Sequence, residues 1–319
     1  MIIEYIFFIA GLSYLLGHFT DLTTRSLRRL NAQVRVNEFI ASFFFLGIAT
    51  SIPELAVALF SAAEAVPELS LGNLLGANIV VLTLMMGVMA ILAGKISIRR
   101  VLRPGDFWLT LGITGLPIPL IIDGQVSRID GVILLTGYGL FLLHFYLRRR
   151  YYQRLTRQSR GEFTTLGIDT FRFISAVVVL LVTSYFLVRV SLTAAVALGM
   201  PLLVVGLLMI SLGTNLPEVT FVANQVSARH ARDKHIALGI LLGNVVFNTP
   251  ILGILALLRP FTITDRGAVG VTVVFLSAIL AVFGYLMLSQ RTLTRREGVG
   301  LVVLYIIFVA YQTGLLGLS

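Results

Sequence analysis

The chain has 319 residues, of which 57% are hydrophobic and 13% charged, with mean hydropathy +0.94 and a formal net charge of +10. This balance excludes an ordinary soluble domain. The basic residues fall in short clusters between apolar runs instead of on one polar face, which excludes nucleic acid as the reason for the charge and marks the clusters as topology signals.

In chain order, apolar runs of the roughly 20 residues needed to cross hydrocarbon lie near 2–20, 37–63, 70–94, 105–122 and 125–147. A polar, basic stretch over 148–170 separates them from a second set near 171–190, 200–228, 236–258, 265–288 and 297–317. The expected fold is therefore an all-α polytopic membrane protein of ten transmembrane helices. Its two five-helix repeats are 1–147 and 171–319, joined by a basic cytoplasmic linker over 148–170. The opening Met1-Ile2-Ile3-Glu4 lacks the positive region of a secretory signal, so the first run is expected to stay as a membrane helix. Without Cys, neither a disulfide framework nor a thiolate metal site can form.

Counting Lys and Arg on alternate loops places 21 of the 25 on one side, and only Arg128, Arg189, Arg259 and Arg266 on the other. A bias this strong puts the odd-numbered loops in the cytoplasm and both termini outside. Five helices per half is an odd number, so the halves enter the membrane from opposite sides, as inverted repeats do.

Two motifs repeat across those halves. Gly47-Ile48-Ala49-Thr50-Ser51-Ile52-Pro53-Glu54 returns 164 residues later as Ser211-Leu212-Gly213-Thr214-Asn215-Leu216-Pro217-Glu218. Leu71-Gly72-Asn73-Leu74-Leu75-Gly76 returns 167 residues later as Leu238-Gly239-Ile240-Leu241-Leu242-Gly243. Pro53 and Pro217 remove a helical hydrogen bond, so the second and seventh helices should break just before each Glu. Carbonyls freed near Gly47 and Ser211 can then face a cation, because irregular backbone at membrane depth must line a cavity or be buried in protein. Thr50 and Glu54, like Thr214 and Glu218, are four apart and share a helix face. The Gly-x-x-x-Gly pairs let the third and eighth helices approach these breaks closely.

An ionisable residue at such depth is a functional residue by default. Carboxylate, hydroxyl, amide and carbonyl oxygens without thiolate or imidazole suit hard cations such as Ca2+ or Na+. Asn244 and Asn248, one turn apart, add two amides to one face of the eighth helix. The candidate ion ligands are thus Gly47, Thr50, Ser51, Glu54, Ser211, Thr214, Asn215, Glu218, Asn244 and Asn248. Helix–helix hydrogen bonding without transport would explain a single Thr-x-x-x-Glu segment, but explains two in an inverted arrangement poorly. His18 and His144 read as interfacial or packed, His230 and His235 as solvated, and Asn37 and Glu38 as a helix cap. Trp108, Tyr146, Tyr151 and Tyr152 read as interfacial anchors. No phosphate-binding loop and no nucleophile–base set is present, so no enzyme activity and no cofactor is expected.

Gly-x-x-Thr-Ser-Ile-Pro-Glu-Leu with Gly-Asn-x-x-Gly, followed by Gly-Thr-Asn-Leu-Pro-Glu, resembles the two α-repeats of the sodium/calcium exchangers in the cation/calcium antiporter superfamily. The resemblance covers essentially the whole chain. It implies ion sites on helices two, three, seven and eight, with helices one and six sliding across that bundle. Thr50, Ser51, Glu54, Thr214 and Glu218 match the family pattern. Asn215, Ala77 and Asn244 stand where Ser is usual, Val81 where Asn is usual, and Asn248 where Asp or Asn is usual. The implied function is antiport of Ca2+ against Na+ in the cell membrane of a prokaryote. A proton-coupled or altered-selectivity antiporter is the alternative, and a channel or non-transporting scaffold is a third reading.

The charge count makes a direct prediction. A reporter fused after Ser319 will be extracytoplasmic and one inserted within 150–165 cytoplasmic, and protease or thiol accessibility finding both on one side would break the inverted arrangement.

Overall fold

A computed structural model describes residues 2–31, 42–97, 102–148, 166–215, 231–289 and 292–314. The described chain is almost wholly helical. Helix α1 spans Ile2–Asn31. A π-helical turn over Ser42–Leu46 runs into Gly47–Thr50, together α2, and α3 follows over Ile52–Ala63. Helix α4 covers Pro67–Ala93 and contains a second π turn, Val81–Met85. Then come α5 (Pro104–Gly115), α6 (Pro117–Ile121) and α7 (Arg128–Leu147). The second half comprises α8 (Leu166–Leu198), α9 (Leu202–Asn215, with a π turn over Gly206–Ile210), α10 (Ala231–Leu258), α11 (Arg266–Ser289) and α12 (Arg295–Gln312).

Five of these helices are long and apolar enough to cross a membrane, and the bent pair α2–α3 makes a sixth. The expected span over 105–122 is divided instead: Pro117, with no N–H to donate, ends α5 at Leu116 and starts α6. Helix α8 begins at Leu166, inside the stretch expected to be linker, and residues 149–165 of that stretch lie outside the described residues. So do Asn37, Glu38, Tyr151, Tyr152 and His230.

The centre of the protein is α4 and α10, each 83% buried along its apolar window, against 22% for α7. Glycine makes that centre possible. A Cβ on Gly47 would meet the Gly243 backbone at 2.7 Å, and one on Gly243 would run into the Phe43 carbonyl. Across the pseudo-dyad, a Cβ on Gly76 would meet the Leu207 carbonyl at 2.5 Å and Ser211 Oγ at 2.6 Å. The offsets of 164 and 167 residues carry one contact set onto the other, since Phe43 and Gly47 correspond to Leu207 and Ser211, and Gly76 to Gly243. The π turns obey the same rule, 42–46 answering 206–210. At the counterpart of the α4 π turn, α10 carries Pro250 instead.

Two small antiparallel sheets tie the halves together. Strand β1 (Lys95–Ser97) pairs with β4 (Thr292–Thr294), and β2 (Gln125–Val126) pairs with β3 (Phe261–Thr262). Each joins the segment after a central helix to the segment before the last helix of the other half. Side-chain contacts between loops respect the same sides. Arg189 pairs with Glu64 at 2.9 Å, Glu68 accepts from Thr264 N and Oγ1, and Lys234 donates to the Ala93 carbonyl at 3.1 Å. Every one of these links loops that the charge count assigns to one face of the membrane.

Hydrophobic packing divides into two main bodies. The large core surrounds α4, α10, α7 and α11. A second cluster, including Ile9, Leu16, Val57, Leu180, Leu187 and Ile210, joins α1 and α8 to each other and to the outer faces of α3 and α9.

Because backbone cannot yield as a flexible side chain can, Gly243→Ala will destabilise the protein by about 1–3 kcal/mol or more. Gly139→Ala, where a Cβ meets nothing within 4 Å, will be neutral or slightly stabilising. Thermal melting in detergent compares the two, and equal melting points would mean the α2–α10 approach is looser than described.

Candidate ion-binding site

The site begins with the break between α2 and α3, whose axes differ by 46°. Ser51 belongs to neither helix, with φ −91° and ψ 4°, and its N–H is shared between the carbonyls of Gly47 at 3.2 Å and Ile48 at 3.1 Å. Pro53 sits in the first turn of α3, where its missing N–H costs nothing, and Glu54 follows it. The positive end of the α3 dipole therefore surrounds the carboxylate.

Glu54 is completely buried. Its Oε1 accepts from Asn215 Nδ2 at 3.4 Å, and its Oε2 has no hydrogen-bond partner among the described residues. No basic side chain there pairs with it either. Asn215 Nδ2 also donates to the Ser211 carbonyl at 2.8 Å and to Thr214 Oγ1 at 3.2 Å. From α10, Asn244 Nδ2 donates to Thr50 Oγ1 at 3.4 Å. The site thus gathers α2, α3, α9 and α10, taking side chains from both halves.

Of the candidate ligands, Glu54, Thr214 and Asn215 are joined by these contacts, as are Thr50 and Asn244, while Ser51 bonds back to Gly47; all six are buried. Glu218, with Pro217, lies outside the described residues. Gly47 and Ser211 differ from expectation. Their carbonyls are not left free: Gly47 O accepts from Thr50 Oγ1 at 3.1 Å, Ser51 Oγ at 3.0 Å and Ser51 N, while Ser211 O accepts from Thr214 Oγ1 at 3.3 Å as well as from Asn215. Serine and threonine in helices bond back to the carbonyl three or four residues earlier, so the hydroxyls beside the break cap what the break would free. An ion reaching either carbonyl has to displace those donors.

Asn248 sits one turn along α10 from Asn244, and its Nδ2 donates to Asn78 Oδ1 across the pseudo-dyad at 2.7 Å. Its Oδ1 has no partner among the described residues. Asn78 therefore supplies a polar group to the first-half wall where Ala77 and Val81, both fully buried, supply none. The helical turn of about 100° between positions 77 and 78 argued against this from sequence, but the partner on α10 reaches over. Ser13 on α1 is a second residue without a motif to announce it: a Cβ on Gly213 would collide with its Oγ. Ser13 Oγ is buried without a partner among the described residues, beside Thr214.

A third is Asp106, fully buried in the first turn of α5, whose Oδ1 lies 2.7 Å from His144 Nε2 and 3.4 Å from Arg148. His144 is thus packed, as expected, but on an acid. Trp108 and Tyr146 are surface-exposed in keeping with interfacial anchoring.

The family model described as sodium/calcium exchanger protein matches residues 4–147 and 168–314, one match per motif pair. The chain belongs to the sodium/calcium exchanger family. As a member it is an integral membrane protein that exchanges cations. Inner membrane protein YrbG of Escherichia coli is 30% identical over 224 residues, covering 67% of this chain and 68% of that protein. The sodium/calcium exchanger MaX1 of Methanosarcina acetivorans is 24% identical over 349 residues, covering 96% and 97%. Among solved structures, the sodium-calcium exchanger NCX_Mj soaked with Na+ and Sr2+ superposes with TM-score 0.67 at 22% identity, covering 97% of this chain and 99% of that one. The fold of this exchanger is therefore that of an established all-helical transporter.

Removing Asn78 leaves the Asn248 amide buried without its acceptor, a loss of about 1–3 kcal/mol. A double-mutant cycle of Asn78→Ala with Asn248→Ala, followed by melting, will show a coupling of about 0.5–3 kcal/mol. Strict additivity would mean that the two amides do not meet.

Proposed function

We propose that this exchanger is a secondary active antiporter that moves Ca2+ against Na+ by alternating access. Its ion site is built from Thr50, Ser51, Glu54, Thr214, Asn215, Glu218, Asn244 and Asn248, with the Gly47 and Ser211 carbonyls behind them. The observation that carries this reading is Glu54: a carboxyl group wholly removed from water, facing hydroxyl and amide groups of the opposite half, with no basic partner among the described residues. Burying such a group without a partner costs several kcal/mol, and a hard cation is the partner that an all-oxygen ligand set suits. Transport of this kind needs neither enzyme chemistry nor a cofactor.

The paired glycine contacts and π turns support two inverted repeats, 1–147 and 171–319, around a cytoplasmic linker over 148–170. The contacts between loops support the sorting of loops onto two sides by the charge count; from that count we take ten spans with both termini outside, and from the family the cell membrane of a prokaryote. The separate cluster around α1 and α8 supports sliding of that pair, since an apolar seam loses little when it shifts register. Ser13 would then meet or leave the site as α1 moves.

Glu54 and Glu218 give the site two negative charges if both ionise. One Ca2+ or two Na+ neutralise it, whereas a third Na+ leaves an uncompensated charge in a poorly solvated cavity. Ala77 and Val81 offer an ion at the first-half wall no side-chain oxygen either. The exchange is therefore two Na+ per Ca2+ and nearly electroneutral. Proton coupling is the second reading, favoured by the same lost oxygens.

Uptake of radioactive Ca2+ into proteoliposomes decides among these readings. An outward Na+ gradient will drive it, Glu54→Gln and Glu218→Gln will each abolish it without loss of folded protein, and a K+–valinomycin clamp will alter its rate little. Drive by a H+ gradient alone would select proton coupling. A strong response to the clamp would sink the two-to-one stoichiometry, because one net charge is worth about 2.3 kcal/mol per 100 mV.

A further inference from the structure

Asn215 Nδ2 is surrounded by three oxygens of different kinds: the Ser211 carbonyl at 2.8 Å, Thr214 Oγ1 at 3.2 Å and Glu54 Oε1 at 3.4 Å. The side chain is fully buried. A carbonyl, a hydroxyl and a carboxylate oxygen converging on one point is the donor set that a hard cation takes. Here the point is a nitrogen carrying two hydrogens. The opposite amide orientation would set Oδ1 against the Ser211 carbonyl, an oxygen that can only accept, so the shortest contact of the cage fixes the NH2 group inside it.

The other half is built differently at the same place. Its counterpart is Ser51, whose hydroxyl donates to the Gly47 carbonyl at 3.0 Å. A hydroxyl has one hydrogen and two lone pairs, and a rotation about its bond turns those lone pairs toward an ion. An amide NH2 has no lone pair to turn. For an ion to take its place, the three oxygens must release it and leave two buried N–H groups without acceptors, a costly exchange in a dry interior. Asn215 Oδ1, on the far side of the amide, has no partner among the described residues. It remains available to ligate an ion held at Glu54 Oε2.

We propose that the Asn215 amide fills a monovalent-cation subsite as a tethered surrogate for Na+, and thereby sets how many Na+ ions are exchanged for each Ca2+. This rests on the antiport reading above. The pseudo-symmetric scaffold then carries an asymmetric site, in which the Ser51 side admits an ion and the Asn215 side is closed by the protein's own nitrogen.

Asn215→Ser replaces the NH2 group with a hydroxyl and reopens the cage. In proteoliposomes, the Hill coefficient for Na+-driven Ca2+ movement will rise from about two in the unmodified protein to about three. The variant's transport will respond to a K+–valinomycin potential to which the unmodified protein is indifferent. An unchanged Hill coefficient and unchanged voltage response in a variant that still transports Ca2+ would overturn the assignment. Should Asn215→Ser not fold, Asn215→Thr serves the same test. In addition, the melting temperature of the unmodified protein titrated with NaCl, at constant ionic strength in choline chloride, reports the number of bound ions directly. Two ions support the surrogate and three exclude it. If the unmodified protein moves no Ca2+ against Na+, the antiport reading fails. In that event, one more bound Na+ in Asn215→Ser than in the unmodified protein would still uphold the cage assignment, and equal numbers would defeat it.

Discussion

The constraint on which this structure depends is a carboxyl group placed where there is no water to solvate it. Glu54 is wholly buried and is the one ionisable residue of an otherwise apolar and hydroxyl-bearing helix pair, α2–α3. Three local features make the position tolerable. Pro53 breaks the helix one residue earlier, so Glu54 stands in a first turn, at the positive end of the α3 dipole. The break at Ser51 bends the chain by 46° and turns the hydroxyls of Thr50 and Ser51 inward. The other half then supplies Asn215 across the pseudo-dyad. None of these would be available to a straight helix.

Bringing the bent pair α2–α3 together with α9 requires that α4 and α10 lie almost backbone to backbone with them. Gly47 against Gly243 and Gly76 against Ser211 accomplish this in symmetric fashion. The π turns just before Gly47 and Ser211 widen the helix by one residue, which re-aims the following turn toward the partner helix. The repeat is thus legible as a set of contacts, not only as a set of letters. Several of the positions where the halves differ lie in or beside the proposed site: Ser51 against Asn215, Val81 against Asn248, Ala77 against Asn244.

Much of this could be read from the sequence because it rests on local chemistry. The Pro before each Glu forecast the break at Ser51, and the Gly-x-x-x-Gly spacing forecast the close approach. Charge alternation sorts the loops onto two sides by counting alone, and the contacts seen between loops join loops assigned to the same side. What sequence could not give was set by partners distant in the chain. Asn78 was half-visible beside Ala77, yet only the position of Asn248 shows that it reaches the first-half wall. Ser13 has no motif around it and became relevant because Gly213 lets α1 come near. The carbonyls of Gly47 and Ser211 are expected to be free, but the neighbouring hydroxyls, counted as ion ligands, also act as donors to them.

The division of the apolar core bears on how such a site could be opened to each side in turn. Helices α1 and α8 form their own cluster with the outer faces of α3 and α9, while the glycine-locked centre lies in another. Movement within the centre would separate backbones packed with no space for a Cβ, so it is the stiffer body. The seam around α1 and α8 is lined by Ile9, Leu16, Leu180 and Leu187, whose contacts are non-directional and survive a shift of register better than hydrogen bonds do. Ser13 is the point where that seam meets α9, against Gly213, the residue before Thr214. A buried hydroxyl without a partner among the described residues is uncomfortable in one position of α1 and satisfied in another where it meets water or an ion. Under the alternating-access reading proposed above, α1 would then sense the site through this side chain, and an ion that prefers one position of α1 would bias the equilibrium by its difference in affinity.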